Sequence, residues 1–97
     1  MNELIYKILT WANDRNIIKG GTAKDQCLKL MQEVGELSDS LCKGESPIDD
    51  IGDCMVVLAI IARQHNLTVT ECLEHAYNDI KDRKGQMIDG VFVKEGG

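Results

Sequence analysis

Two stretches of this chain repeat one pattern: Glu33-Val34-Gly35-Glu36 and Asp50-Ile51-Gly52-Asp53, each an acid, a β-branched apolar residue, a glycine and an acid. Both lie in segments that read as helix. Acids three residues apart share a helical face, so two such helices side by side would aim Glu33, Glu36, Asp50 and Asp53 at one point. Carboxylates crowded in this way repel one another, and a hard divalent cation relieves the repulsion. All four offer oxygen, with no histidine or cysteine interleaved, which favours Mg²⁺, with Mn²⁺ also suited, over zinc or copper.

The ordinary alternative is a solvated acidic face. Asp49 fits it fully as the third residue of a helix capped by Ser46, and Asp50 fits it partly, because first-turn acids complement the helix dipole. Three observations favour the metal. Asp53 directly precedes the apolar run Cys54–Ala62, where a lone buried carboxylate needs a compensating partner. Gly35 and Gly52 each cost roughly 0.5–1 kcal/mol in mid-helix relative to alanine, a cost that a close helix crossing would offset. Lys29 lies one turn before Glu33 and supplies a same-face cation.

Mg²⁺ on carboxylates usually completes its shell with water and substrate phosphates, so the pattern points to a phosphorylated small molecule. Neither GxxxxGK[ST] nor GxGxxG occurs, so the phosphates are not held by a glycine loop.

Four helices should position these residues. The first is predicted over roughly residues 2–16, with Leu4, Ile5, Ile8, Leu9 and Ala12 as its apolar stripe and Trp11 beside it, at a seam or an interface. Gly20-Gly21 interrupts the chain, Thr22 caps the second helix, and Lys43-Gly44 ends it. Ser46-Pro47-Ile48-Asp49 reads as a serine cap with proline at the first helical position. That third helix runs to about His65 and, apolar on every side from Cys54 to Ala62, should be buried all round. The fourth starts at Thr68 or Thr70 and reaches Lys84-Gly85. A turn and a short extended segment then follow within Met87–Val93.

At 97 residues the chain is expected to form a single domain over 1–97. Eleven bases against sixteen acids give a net charge of −5, without a dense basic stretch. Nucleic-acid binding is disfavoured. Cys27, Cys42, Cys54 and Cys72 form no CxxC pair and read as small buried hydrophobes in a reducing cytoplasm. No signal peptide is visible, and nine apolar residues from Cys54 to Ala62 are too few to span a membrane. So small a domain with so apolar a helix should associate at least as a dimer.

The run Lys29–Leu37 (KLMQEVGEL), followed by Asp50–Asp53, resembles the MazG-type nucleoside triphosphate pyrophosphohydrolases, whose signature is EExxE, a gap and ExxD. The segments Ala76–Gly85 and Gly90–Glu95 are similar to the ends of small MazG-like proteins. The resemblance implies an all-α four-helix bundle that assembles as a dimer or tetramer. It also implies Mg²⁺-dependent cleavage of a (deoxy)nucleoside triphosphate to the monophosphate and pyrophosphate. Glu33, Glu36 and Asp53 match family metal positions, and Glu33 or Glu36 would activate the attacking water. Gln32 replaces the first glutamate of the signature, and Asp50 stands where the fourth acid is usually glutamate. An amide oxygen ligates but cannot serve as a base. Lys29, Lys81 and Arg83 would meet phosphate oxygens, and Asn78 the nucleotide. A metal- and nucleotide-binding regulatory protein of the same fold is the alternative.

Overall fold

Thr22 fixes where the longest helix begins. Its Oγ1 accepts a hydrogen bond from the Asp25 N–H at 3.1 Å, satisfying one of the amides that a helix start leaves without a partner. The computed structural model describes residues 2–95; Met1, Gly96 and Gly97 lie outside the described residues. Five helices, α1 (Asn2–Asp14), α2 (Ile17–Gly20), α3 (Ala23–Cys42), α4 (Ile48–Gln64) and α5 (Val69–Ile80), precede strands β1 (Gly85–Ile88) and β2 (Val91–Lys94). The protein is thus mostly helical, with one small sheet.

The first predicted helix divides in two. Asn16 takes a left-handed conformation with φ 58°, which asparagine tolerates better than most residues, and α2 restarts immediately after it. Arg15 closes α1 by donating to the Trp11 carbonyl at 3.0 Å, while its guanidinium lies 4.7 Å over the Trp11 ring. Trp11 thus carries a cation–π contact from the arginine just past its helix and remains 46% exposed.

The start of α4 is shifted by one residue from the expected cap. The helix begins at Ile48, Pro47 takes the cap position, and the Ser46 hydroxyl accepts from the Ile48 N–H at 3.4 Å. A residue before proline is pushed away from helical geometry, so Ser46 cannot sit closer to the helix. At the next junction Thr68 and Glu71 form a complete capping box for α5.

Helix α4 organises the fold and touches α1, α2, α3 and α5. Val57, Ala59, Ile60 and Ala62 are buried on it, together with Ala12 from α1. The Gln64 carboxamide pins its C-terminal end by donating to the Ile18 carbonyl at 3.2 Å and the Gly21 carbonyl at 3.3 Å. Contrary to the expectation of all-round burial, Met55 and Leu58 are each 48% exposed in the single chain. The buried residues recur at helical spacing, and no element among the described residues covers the side that carries Met55 and Leu58.

Helix α5 ends at Ile80, four residues before the predicted limit, and the chain forms a hairpin rather than one extended segment. Met87 pairs with Phe92 and Ile88 with Val91 across a two-residue turn, in which Asp89 and Gly90 have φ 49° and 80°. Two positive φ values in a two-residue loop match the natural twist of a hairpin. Gly85 is required at the other end: its φ is +157°, and a Cβ there would collide with the Val93 carbonyl oxygen. All four cysteines are free thiols, but Cys27, Cys42 and Cys72 are exposed and only Cys54 is partly covered. No helix among the described residues is long and apolar enough to cross a membrane.

Candidate metal centre

Short connection and helical pairing build the site. Residues 43–47 return the chain so that α4 packs along α3, the most extensive helix contact in the molecule. Glu33 and Glu36 project from α3, and Asp53 from α4. One carboxylate oxygen from each of the three lies within 4.8 Å of the others. Octahedral Mg²⁺ with bonds of about 2.1 Å spans roughly 4.2 Å between opposite ligands, so small side-chain adjustments would bring all three into one shell.

Glu33 is the buried member, at 6% exposure. Its Oε1 meets the Lys29 ammonium at 3.0 Å across one helical turn. Its Oε2 is shut away from solvent and has no hydrogen-bond partner. A buried carboxylate oxygen without a donor is costly, and a cation among these acids would satisfy it. The donor set therefore fits a hard divalent metal.

The other charges respond to the same crowding. The Glu36 carboxyl is held above its ordinary value, first by the charge of the neighbouring Glu33 carboxylate and then by partial desolvation; Asp50 adds to the rise and Lys29 opposes it. Lys29 is raised by its hydrogen bond and charge contact with Glu33. Partial burial, followed by the charges of Glu33, Asp50, Asp53 and Glu36, pushes the Cys54 thiol up. Burial and the neighbouring acids thus both favour the neutral Cys54 thiol. Read from sequence as a small buried hydrophobe, Cys54 is partly covered and directly follows Asp53.

A pH prediction follows from Glu36. Because its folded-state value is raised, the metal-free protein should gain stability as pH falls from neutrality through that value toward the ordinary carboxylate range. Mg²⁺ competes with the same proton, so Mg²⁺ affinity should decline over the same window. Thermal melts across mildly acidic pH, with and without Mg²⁺, should show these opposite slopes; parallel slopes would remove Glu36 from the site.

Other predicted residues fall elsewhere. Asp50 is half-buried one turn before Asp53 and outside the three-oxygen group, although its charge reaches Glu36. Gln32 is exposed on α3. Asn78 and Arg83 line a separate cleft with Lys84 and Lys94, while Lys81 is exposed near the end of α5. Helix α5 makes no contact with α3, so the structure does not bring Asn78, Lys81 or Arg83 to the acidic group of the same chain.

The expected role of the glycines is also corrected. A Cβ on Gly35 or Gly52 would meet nothing within 4 Å, so neither glycine permits the α3–α4 approach. At about 100° per residue, Gly35 points roughly 200° away from Glu33. Burying Glu33 therefore turns Gly35 outward.

No family model matches the chain, and no solved structure matches it. Over 69 residues it is 41% identical to an uncharacterised 18.2 kDa protein from the rep–hol intergenic region of Haemophilus phage HP1. The match takes in 69% of this chain and 42% of the phage protein, so the chain spans less than half the length of that relative.

Proposed function

We propose that this protein is a Mg²⁺-dependent nucleoside triphosphate pyrophosphohydrolase of the MazG type, cleaving a (d)NTP to the monophosphate and pyrophosphate. The observation that carries the reading is the buried Glu33, whose Oε2 lacks a partner in a group completed by Glu36 and Asp53. In this reading the four-helix bundle is completed by assembly as a dimer or tetramer. The site of action is the cytoplasm, and the role is upkeep of the nucleotide pool.

Glu33, Glu36 and Asp53 would hold the metal, with Asp50 as an outer carboxylate. When bound, Mg²⁺ supplies neutralisation of phosphate charge and orientation of the substrate. Glu33 is tied to Lys29 and enclosed, which suits it to a fixed position. Glu36 is exposed, which leaves it open to an attacking water that it would orient or deprotonate. Lys29 stands at the edge of the acids and would meet a phosphate oxygen.

A second reading, a regulatory protein that binds metal and nucleotide with little turnover, draws on two features. Gln32 is neutral where a glutamate is usual in the family it resembles, and Asp50 lies outside the three-oxygen group. Incubation of canonical and modified (d)NTPs with Mg²⁺ separates the two. The expected products are monophosphate and pyrophosphate. Binding without release of either would favour the regulatory reading, and diphosphate with orthophosphate would refute the cleavage position.

A further inference from the structure

Three bases gather where α1 and α2 meet the far end of α4. Asn16 takes its left-handed turn there, so α2 folds back beside α1, and both pack on α4. Gln64 locks that arrangement by donating to the Ile18 and Gly21 carbonyls. The first of these bonds also brings together the sequence neighbours of its two ends. Arg63 from α4 and Lys19 from α2 thereby share the wall of one cavity of about 760 Å³. A volume of this size falls within the range of roughly 300–1,000 Å³ that small-molecule sites occupy.

The lining inverts the charge of the chain. Lys19, Arg63 and His65 border the cavity and no acid among the described residues does, although the chain holds sixteen acids against eleven bases. Neither Lys19 nor Arg63 enters an ion pair among the described residues. His65 contributes differently. Its Nδ1 lies 2.9 Å from the Ile61 carbonyl, which only accepts, so Nδ1 carries the proton and Nε2 of the neutral ring is left as an acceptor. Thr10, Asn13 and Asn66 add groups that both donate and accept.

These groups select the ligand. Two fixed positive charges without an acid beside them call for an anion, and a dianionic phosphate monoester answers both, on the forked donors of Arg63 and the point charge of Lys19. Hydroxyl-binding side chains around the cations suit a sugar as its body, and the Tyr6 ring supplies a flat wall. Tyr6, Leu9 and Arg63 also border a smaller cleft of about 320 Å³, whose further walls include Ile5, Ala59 and Leu67. That cleft is an apolar place for a base when the phosphate belongs to a nucleotide. The acidic group lies elsewhere. Gln64 is eleven residues past Asp53 on α4, and Ala23 ten residues before Glu33 on α3, so roughly 15 Å of helix separates the two sites.

We propose that the cavity between α1, α2 and the end of α4 is a second binding site, which takes a sugar phosphate, free or as part of a nucleotide, on Lys19 and Arg63. It needs no metal, and it stands whether or not the acidic group hydrolyses triphosphates. Its occupant joins three helices and so stabilises the folded chain by mass action.

Titration of ¹⁵N-labelled protein, freed of divalent metal, with ribose 5-phosphate, adenosine monophosphate and inorganic phosphate tests the site by NMR. Without metal a phosphate meets only repulsion at the acidic group, so the two sites are read apart. Saturable shifts are expected at Asn13, Lys19, Gln64 and His65 with both organic phosphates, while Glu33, Glu36 and Asp53 stay still. Tighter binding of the nucleotide would place its base in the smaller cleft, and equal binding would leave the sugar phosphate as the whole ligand; either upholds the proposal. Arg63→Gln and Lys19→Gln, both at exposed positions, should each weaken binding by about tenfold, the loss of one hydrogen bond to a charged group. Shifts that do not saturate, shifts spread over exposed lysines elsewhere, or affinity unchanged in both variants would overturn the proposal. Inorganic phosphate bound as tightly as ribose 5-phosphate would also overturn it, by removing the sugar from the ligand. Hydrolysis of triphosphates with Mg²⁺, measured separately, decides the proposed function without bearing on this result.

Discussion

Glu33→Gln should abolish the response of the protein to Mg²⁺ and lower pyrophosphate release by at least about a hundredfold, while leaving the helices folded. The substitution keeps the length and an acceptor for the Lys29 ammonium, which lies 3.0 Å from Oε1. It removes the charge at the buried end of the acidic group and the foremost cause of the raised proton affinity of Glu36. Two effects oppose each other in the metal-free protein. Repulsion among Glu33, Glu36 and Asp53 is relieved, but an amide NH₂ replaces Oε2 where no partner is available, at a cost of about 1–3 kcal/mol. The metal-free melting temperature should therefore move by only a few degrees. In the wild type, Mg²⁺ at a hundred times its dissociation constant stabilises by about 2.7 kcal/mol. For a domain of this size that raises the melting temperature by on the order of 10 °C. Differential scanning fluorimetry across a Mg²⁺ series checks both proteins. A variant that still gains the wild-type shift would mean that Glu33 is not a ligand and that its burial serves packing alone.

The sequence made this site legible at the level of helical faces and less so at the level of neighbours. Acids three apart place Glu33 with Glu36 whatever else the helices do, and Asp53 joins them because α4 returns along α3 after a short turn. Periodicity does not state which side of a helix meets its neighbour. That is why Gly35 and Gly52, read as contact points, open onto empty space. Caps carried strong local signals: Thr22 and Thr68 each hold an amide with a hydroxyl, although sequence alone left the last helix start between Thr68 and Thr70. Boundaries set by one backbone angle were hidden, as at Asn16, where a left-handed residue splits α1 from α2. The pair Asp89-Gly90 signalled a turn, and the apolar residues before it should have completed the hairpin. The run Cys54–Ala62, apolar on every side, was expected to be buried all round, but among the described residues only one side of α4 is covered. Met55 and Leu58 remain open, because an apolar run in sequence does not state how many of its sides the fold covers.

The second large effect belongs to Lys29, and its sign differs between binding and turnover. The ammonium sits against the same carboxylate that would ligate the metal, so in the metal-free protein it partly neutralises Glu33. Lys29→Met keeps most of the stem's volume and removes the charge. Without Mg²⁺ the variant should melt below the wild type, because Glu33 stays buried with neither oxygen compensated. With Mg²⁺ the order should reverse in affinity. A cation is no longer held beside the incoming one, and binding should tighten by roughly tenfold at low ionic strength, an advantage that salt screens. The Mg²⁺-induced rise in melting temperature should accordingly exceed that of the wild type. Turnover should nevertheless fall, because Lys29 is the cation whose charge already reaches Glu36 and so the nearest available to a phosphate oxygen. Isothermal titration with Mg²⁺ and steady-state hydrolysis on the same preparation separate the two contributions. Tighter Mg²⁺ binding with unchanged turnover would restrict Lys29 to balancing Glu33. Mg²⁺ binding and melting temperature both unchanged would remove Lys29 from the site.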